Sequence, residues 1–224
     1  MMGLRYVYAV CRPFKAPLQA QLRGVAGDPP RLLVHHGLVA VVSHVPERDF
    51  AEGPLHAHIA DQDWLGETTR AHQGVIDALT VVTTPLPLRL ATVFRDDSGV
   101  RTMLEARDAD FRRTLDRLEG RVEWGVKVYA EAGPPDGDAP AQTAASRLHG
   151  TLSAYAEESR LHAPQNAALS GAAGRNVLNA AYLVPRTDSE EFVELVDRTK
   201  HESPGTRVEL TGPWAAYSFA GDKP

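Results

Sequence analysis

The sequence predicts an α+β protein in two domains, an N-terminal α+β domain over residues 1–120 and a C-terminal domain over residues 121–224. Three observations predict this. The stretch from Pro85 to Tyr129 reads as strand, helix, strand, and supplies the unit on which the remaining segments are expected to pack. From Val122 onward the hydrophobic patterns run β-α-β-β-α-β, the order of a modified ferredoxin-like domain. Composition shifts abruptly after Tyr129, where Glu131-Ala-Gly-Pro-Pro-Asp-Gly-Asp-Ala-Pro140 has no periodicity, so residues 131–142 are expected to form a mobile loop. The domain cut belongs near Gly120 and not in that loop, because the C-terminal domain needs Val122–Tyr129 as its first strand. A chain of 224 residues is long enough for two separate cores.

Taken in order, Leu4–Cys11 is a strand that Pro13 ends. Residues 12–30 carry four prolines and leave room for a short helix or turn near Leu18–Leu22. Arg31–Val34 and Gly37–Val45 bracket His35-His36-Gly37, which reads as the tight turn of a β-hairpin. Pro54 opens an amphipathic helix to about Leu79, with Leu55, Ile59, Leu65, His72, Ile76 and Leu79 on one face. Thr80–Thr83 is short and β-branched. Pro87–Phe94 alternates as a half-buried strand, and Asp96, Asp97 and Ser98 offer N-cap oxygens. Val100, Met103, Leu104, Phe111, Leu115 and Leu118 then predict one helix of about six turns, stopped at Gly120. In the second domain, Val122–Tyr129 is a strand and Thr143 to about His162 a helix. Pro164–Gly174 is a short strand and turn, and Asn176–Val184 a strand. Asp188-Ser-Glu-Glu191 resembles a capping box for a helix carrying Phe192, Leu195 and Val196. Pro204-Gly205 turns the chain into a last strand at Arg207–Thr211.

Composition excludes several classes. There are 24 basic and 29 acidic residues, a formal net charge of -5, and no basic block, so no nucleic-acid partner is expected. The one cysteine, Cys11, cannot form an internal disulfide, which suits a reducing, cytoplasmic setting. No run approaches the roughly 20 apolar residues that span a bilayer, and the first residues lead into a strand pattern without signal-peptide architecture. Neither membrane insertion nor secretion is expected.

Chemistry-bearing motifs are sparse. No metal or cofactor is expected from the nine histidines. His56 and His58 point to different helix faces, His58 with Asp61 makes two ligands without a third, and His35 and His36 are neighbours in a turn. His72, on an apolar face, reads as a core or interface residue. No nucleophile elbow, Walker loop or Cys–His signature is present, and Gly171-Ala-Ala-Gly174 precedes a strand where a phosphate cradle needs a helix. The aromatic residues Trp124, Tyr129, Trp214, Tyr217 and Phe219 fall at strand positions in one half of the protein. Core packing explains such a set, and a partner surface is the alternative, with Trp124, Trp214 and Tyr217 as anchors and Arg89 and Arg95 on the rim.

Four phrases carry a family resemblance: Pro87-Leu-Arg-Leu-Ala-Thr-Val-Phe-Arg-Asp96, Val122-Glu-Trp-Gly-Val-Lys-Val-Tyr129, Asn179-Ala-Ala-Tyr-Leu-Val184 and Leu210-Thr-Gly-Pro-Trp-Ala-Ala-Tyr-Ser-Phe219. Together they resemble the gas vesicle protein family GvpF/GvpL over nearly the whole chain. Ala215-Ala216 stands where the family more often has prolines, and Leu90-Ala91 also departs from its usual pattern. The resemblance implies a non-enzymatic, cytoplasmic accessory protein of gas vesicle assembly with two α+β domains. Its implied partners are the hydrophobic, GvpA-like shell protein and other gas vesicle accessory proteins, and it implies no catalytic residues. The alternative reading of the residues is a ferredoxin-like domain that binds a small ligand or carries out oxidation in a cleft near His72, Tyr155 or Tyr182.

Overall fold

The structure, a computed structural model, describes residues 3–16, 18, 21–130, 139–164, 174–200 and 205–221. The loop expected over 131–142 falls mostly outside the described residues, as do most of Pro164–Gly174, Pro204, and part of Leu18–Leu22. The described chain separates into two compact units, divided between Glu119 and Gly120. The members of the Pro85–Tyr129 stretch are therefore split between them, and it is not a single packing unit. Gly120, at φ 72, opens the second unit in the left-handed conformation that a side chain disfavours.

In the first unit, β1 (Leu4–Cys11) is the central strand. It pairs with β3 (Leu38–Val45), which pairs in turn with β2 (Arg31–His35). The β2–β3 connection is the expected hairpin, with His36 at φ 46 and Gly37 at φ 77, the double positive φ of a two-residue turn. Residues Tyr6 to Cys11 are all buried, so β1 is covered on both faces. That double cover explains why β1 and β3 read as near-continuous apolar runs.

One face of β1 meets α3 (Gln62–Val82): Tyr6 and Tyr8 pack on His72, with ring centroids 5.7 and 5.5 Å away. The other face meets α4 (Asp97–Ala106), where the Asp97 carboxylate accepts hydrogen bonds from Arg5 of β1 and Arg31 of β2. Partial desolvation pushes the Asp97 carboxyl up, but those two guanidinium bonds outweigh it and hold it below the usual carboxylate range. Cys11 is fully buried, and desolvation pushes its thiol up to about 12.

Three expectations for this unit are corrected. The strand over Pro87–Phe94 is two short pieces, β4 (Leu86–Pro87) and β5 (Val93–Phe94), each paired to β1. Between them the chain turns out through Ala91 at φ 61, held by its N–H donating to the Tyr6 hydroxyl at 3.1 Å. The Pro54–Leu79 helix is α2 (Glu52–Ile59), which comes after the short α1 (Glu47–Phe50), and then α3. The break comes because Asp61 turns its carboxylate onto the N–H groups of Asp63 and Trp64 and so starts a new helix, whose last turn takes in Thr80–Val82. The six-turn helix is α4 followed by α5 (Asp108–Leu118), parted at Arg107 (φ -121, ψ 18). Val100 and Leu104 are buried before the break and Phe111, Leu115 and Leu118 after it, whereas Arg107 falls at the next inward position, so the apolar stripe lapses there.

The second unit has the element order β-α-β-β-α-β: β6 (Arg121–Ala130), α6 (Ala139–Tyr155), β7 (Glu158–Leu161), β8 (Arg175–Pro185), α7 (Ser189–Thr199) and β9 (Thr206–Trp214). The antiparallel strand order is β7-β8-β6-β9. This matches the ferredoxin-like arrangement. Leu148 and Leu152 of α6, with Phe192 and Val196 of α7, cover Val122, Val126, Ala180 and Tyr182 on one sheet face. The helix expected to reach His162 stops at Tyr155, because Glu158–Leu161 pairs with β8 instead. The Asp188 capping box does not form, since the Glu191 carboxylate accepts from the Tyr155 hydroxyl at 3.0 Å and Asp188 from Thr187 at 2.7 Å. Among the described residues, no helix is long and apolar enough to cross a membrane.

The buried Tyr6–His72 contact makes the first unit acid-sensitive. The Tyr6 hydroxyl lies 2.9 Å from His72 Nδ1, and burial lowers the imidazole from 6.5 to about 4. The contribution is fully present above pH 6.5 and is lost as pH falls through about 4. A shift of that size corresponds to about 3 kcal/mol. Denaturant titrations across this window are expected to show a shallower loss of stability for His72→Gln than for the parent. Equal slopes would place the acid sensitivity elsewhere.

Candidate functional site

In the C-terminal unit, Trp124 and Trp214 flank one close approach between β6 and the end strand β9. In the β6–β9 ladder, Glu123 faces Trp214 and Gly125 faces Thr211, so Gly212 and Pro213 together oppose Trp124 alone. The bulge needs glycine. A Cβ at Gly212 would lie 2.9 Å from the Glu123 carbonyl oxygen and 3.0 Å from Trp124 Cε3, and φ there is +130. The missing methyl lets the bulged strand close over the indole.

Trp124 is thus only 8% exposed, on the sheet face that carries the helices. Its ring lies 6.3 Å from Phe192, and Nε1 donates to Ser189 Oγ at 3.4 Å. Beside it an open groove of about 360 Å³ runs along α7, lined by Trp124, Ser189, Glu190, Val193 and Glu194. Its floor is apolar, and two carboxylates stand along its rim.

The opposite sheet face carries the chain's end. Residues that pair across an antiparallel ladder share a face, so Glu123 and Trp214 both point away from the helices. Glu123 clasps the C-terminal segment: Oε2 accepts from the Ser218 N–H and Oε1 from the Ser218 hydroxyl, both at 2.7 Å. Burial pushes this carboxyl up, opposed by the two Ser218 bonds and the nearby Arg160 charge. The clasp shapes Tyr217–Phe219 into a single 3-10 turn, not the strand continuation expected for these two aromatics. Phe219 is buried under the Arg160 guanidinium, which lies 5.4 Å from its ring centroid. Trp214 and Tyr217 remain 40% and 36% exposed.

Of the five residues proposed from sequence, Trp124 and Trp214 point to opposite faces of one sheet. Trp214 and Tyr217 lie at the β9 end of the sheet, and Trp124 lies on its other face as the wall of a groove. Arg89 and Arg95 belong to the N-terminal unit, both exposed, Arg89 at the turn between β4 and β5 and Arg95 just after β5. Gly212, Glu123, Ser218 and Val193 escape sequence reasoning, because each acquires its role only through a partner distant in the chain. The residues named for a small-ligand cleft are engaged elsewhere. His72 and Tyr182 are buried in separate cores, Tyr182 donating to or accepting from His149 Nδ1 at 2.8 Å, and the Tyr155 hydroxyl is held by Glu191 and the Asp188 carbonyl. His58 approaches Asp49 at 3.8 Å and stacks on Trp64, while the Asp61 carboxylate caps α3.

Comparison with known proteins places this geometry in context. The family profile described as "Gas vesicle synthesis protein GvpL/GvpF" matches residues 4–139 and 136–221. The chain is similar to "Gas vesicle protein L" of Streptomyces sp. (strain CB03234), at 53% identity over 97% of this chain and 93% of the relative. "Gas vesicle protein F" of the same strain is 24% identical, over 96% of this chain and 98% of the relative. In fold it is similar to the crystal structure of GvpF from Anabaena sp. PCC7120, with a TM-score of 0.76 at 17% identity, covering 99% of this chain and 97% of that one.

The Gly212 bulge carries a direct consequence for stability. Gly212→Ala is expected to lower the unfolding free energy by about 1–3 kcal/mol, from the strained φ and the encroachment on Trp124. The change should register both in a urea midpoint and in the indole fluorescence. An unchanged midpoint and spectrum would mean that β9 does not sit on Trp124 as described.

Proposed function

The chain belongs to the GvpL/GvpF gas vesicle synthesis protein family, and on that footing we propose that it is a non-enzymatic accessory protein of gas vesicle assembly. It binds the apolar, GvpA-like shell subunit in the cytoplasm and assists its incorporation or nucleation at the growing vesicle. Other gas vesicle accessory proteins are further partners. Within the family, 53% identity to a gas vesicle protein L against 24% to a gas vesicle protein F of the same strain favours an L-type role.

One observation carries the reading: β9 ends its sheet with Trp214 and Tyr217 presented to solvent beside it. A sheet edge offers backbone hydrogen bonds to an extended segment, and the exposed aromatics beside it offer apolar area. A shell subunit with one face directed at gas is costly to keep in water, and covering that face removes the cost. The acidic chain remains dispersed while doing so. Trp214 and Tyr217 are the proposed anchors, and Trp124 seats the bulge of β9 just before them. Arg89 and Arg95, exposed on the N-terminal unit, are proposed as partner contacts of that unit on its own.

Co-expression with the shell protein and capture of the full chain tests this. Trp214→Ala is expected to weaken capture by roughly thirtyfold, as for an interface anchor worth about 2 kcal/mol, and Trp214→Phe to restore most of it. A Trp214→Ala variant with an unchanged denaturation midpoint that captures the shell protein as well as the parent would remove β9 as the contact.

A further inference from the structure

The hairpin turn of the N-terminal unit brings together residues that the sequence keeps far apart. His35 ends β2, His36 forms the turn, and Glu105 lies 70 positions after His35 in the last turn of α4. His35 Nε2 is 2.7 Å from Glu105 Oε1, and the two imidazoles stack with centroids 4.2 Å apart. One ligand atom from each of the three residues lies within 4.8 Å of the other two. They border a cleft of about 130 Å³ with Leu104 and Asp108.

We propose that His35, His36 and Glu105 form a binding site for a divalent transition-metal ion of the zinc type. Two imidazole nitrogens and a carboxylate oxygen are the donor set that zinc takes, and that magnesium and calcium, which favour all-oxygen shells, do not. Zinc–ligand bonds of about 2.0–2.1 Å place tetrahedral ligand atoms roughly 3.3 Å apart. The pair already at 2.7 Å opens slightly on binding, while the wider separations close by about 1.5 Å at most. Rotation of the exposed His36 and Glu105 side chains covers that distance and unstacks the two imidazoles.

The frame around the cleft is already fixed. The Arg112 guanidinium donates to the His36 carbonyl at 2.5 Å, anchoring the turn to α5. Its charge is matched by Asp108, which it grips through both carboxylate oxygens at 2.9 and 3.1 Å, so no uncompensated cation faces the incoming ion. Asp108 stays with Arg112, and water completes the tetrahedron. A bound ion would join the hairpin tip to α4 and close a long loop of chain, which favours the folded unit over the unfolded one.

The test uses the full, untagged chain with Zn²⁺ alone, in calorimetric titration and then thermal unfolding. The expected result is binding at one ion per chain and a rise of the midpoint by a few degrees, absent with Mg²⁺ or Ca²⁺. Affinity should fall roughly tenfold or more in His36→Asn and in Glu105→Gln. Circular dichroism of both variants without metal is the control for folding. Zinc binding that persists undiminished in both folded variants, or no midpoint shift in the parent, would overturn the site. Both measurements are made without the shell protein, so either result is independent of the shell-binding reading.

Discussion

Contact between a residue with no side chain, Gly212, and a tryptophan, Trp124, sets the architecture of the C-terminal unit. Because Gly212 presents only hydrogen to Trp124, the end strand accommodates two residues opposite one and still seals the indole against the core. The bulge also shifts the strand's facing by one, which turns Trp214 to the side away from the helices. From there the chain runs into the Glu123–Ser218 clasp, and the exposed aromatics acquire a fixed position instead of a loose tail. The groove along α7 and the aromatic edge thus share a single origin in backbone geometry.

The N-terminal unit is organised on a different principle. Its central strand is buried on both sides, so stability comes from apolar area on two interfaces, with a few polar ties set among them. Asp97 joins two strands to a helix through two arginines, and the Tyr6 hydroxyl satisfies both the Ala91 N–H and the His72 ring. These ties lie at opposite faces of β1 and fix which helix covers which face, something apolar packing alone leaves degenerate.

Much of the local structure was legible because its causes are local. The Asp96 carboxylate caps α4 through the Gly99 N–H, and His36-Gly37 makes the hairpin turn, as their residue types imply. What escaped the sequence was decided at a distance. The helix that periodicity carries through Ala60 is broken by the Asp61 carboxylate, and Glu158–Leu161 leaves a helical pattern because β8 offers it a ladder. Of the candidate surface, the aromatic residues stood out by type, but their assignment to opposite sheet faces depends on a bulge with no sequence mark beyond one glycine. Glu123 reads as a polar-face residue of its strand, and only Ser218, 95 positions later, reveals it as the buried half of a clasp. The same holds for Glu105 beside the hairpin tip.

Burial of the central strand also decides the chemistry of Cys11. The chain's single cysteine sits fully enclosed in β1 as a protonated thiol, the form least reactive toward oxygen and electrophiles. While the strand is in place, that thiol needs no reductant to stay reduced. A thiol-reactive dye can reach the sulfur only when β1 leaves its sheet, so the labelling rate of the unaltered protein counts those excursions directly.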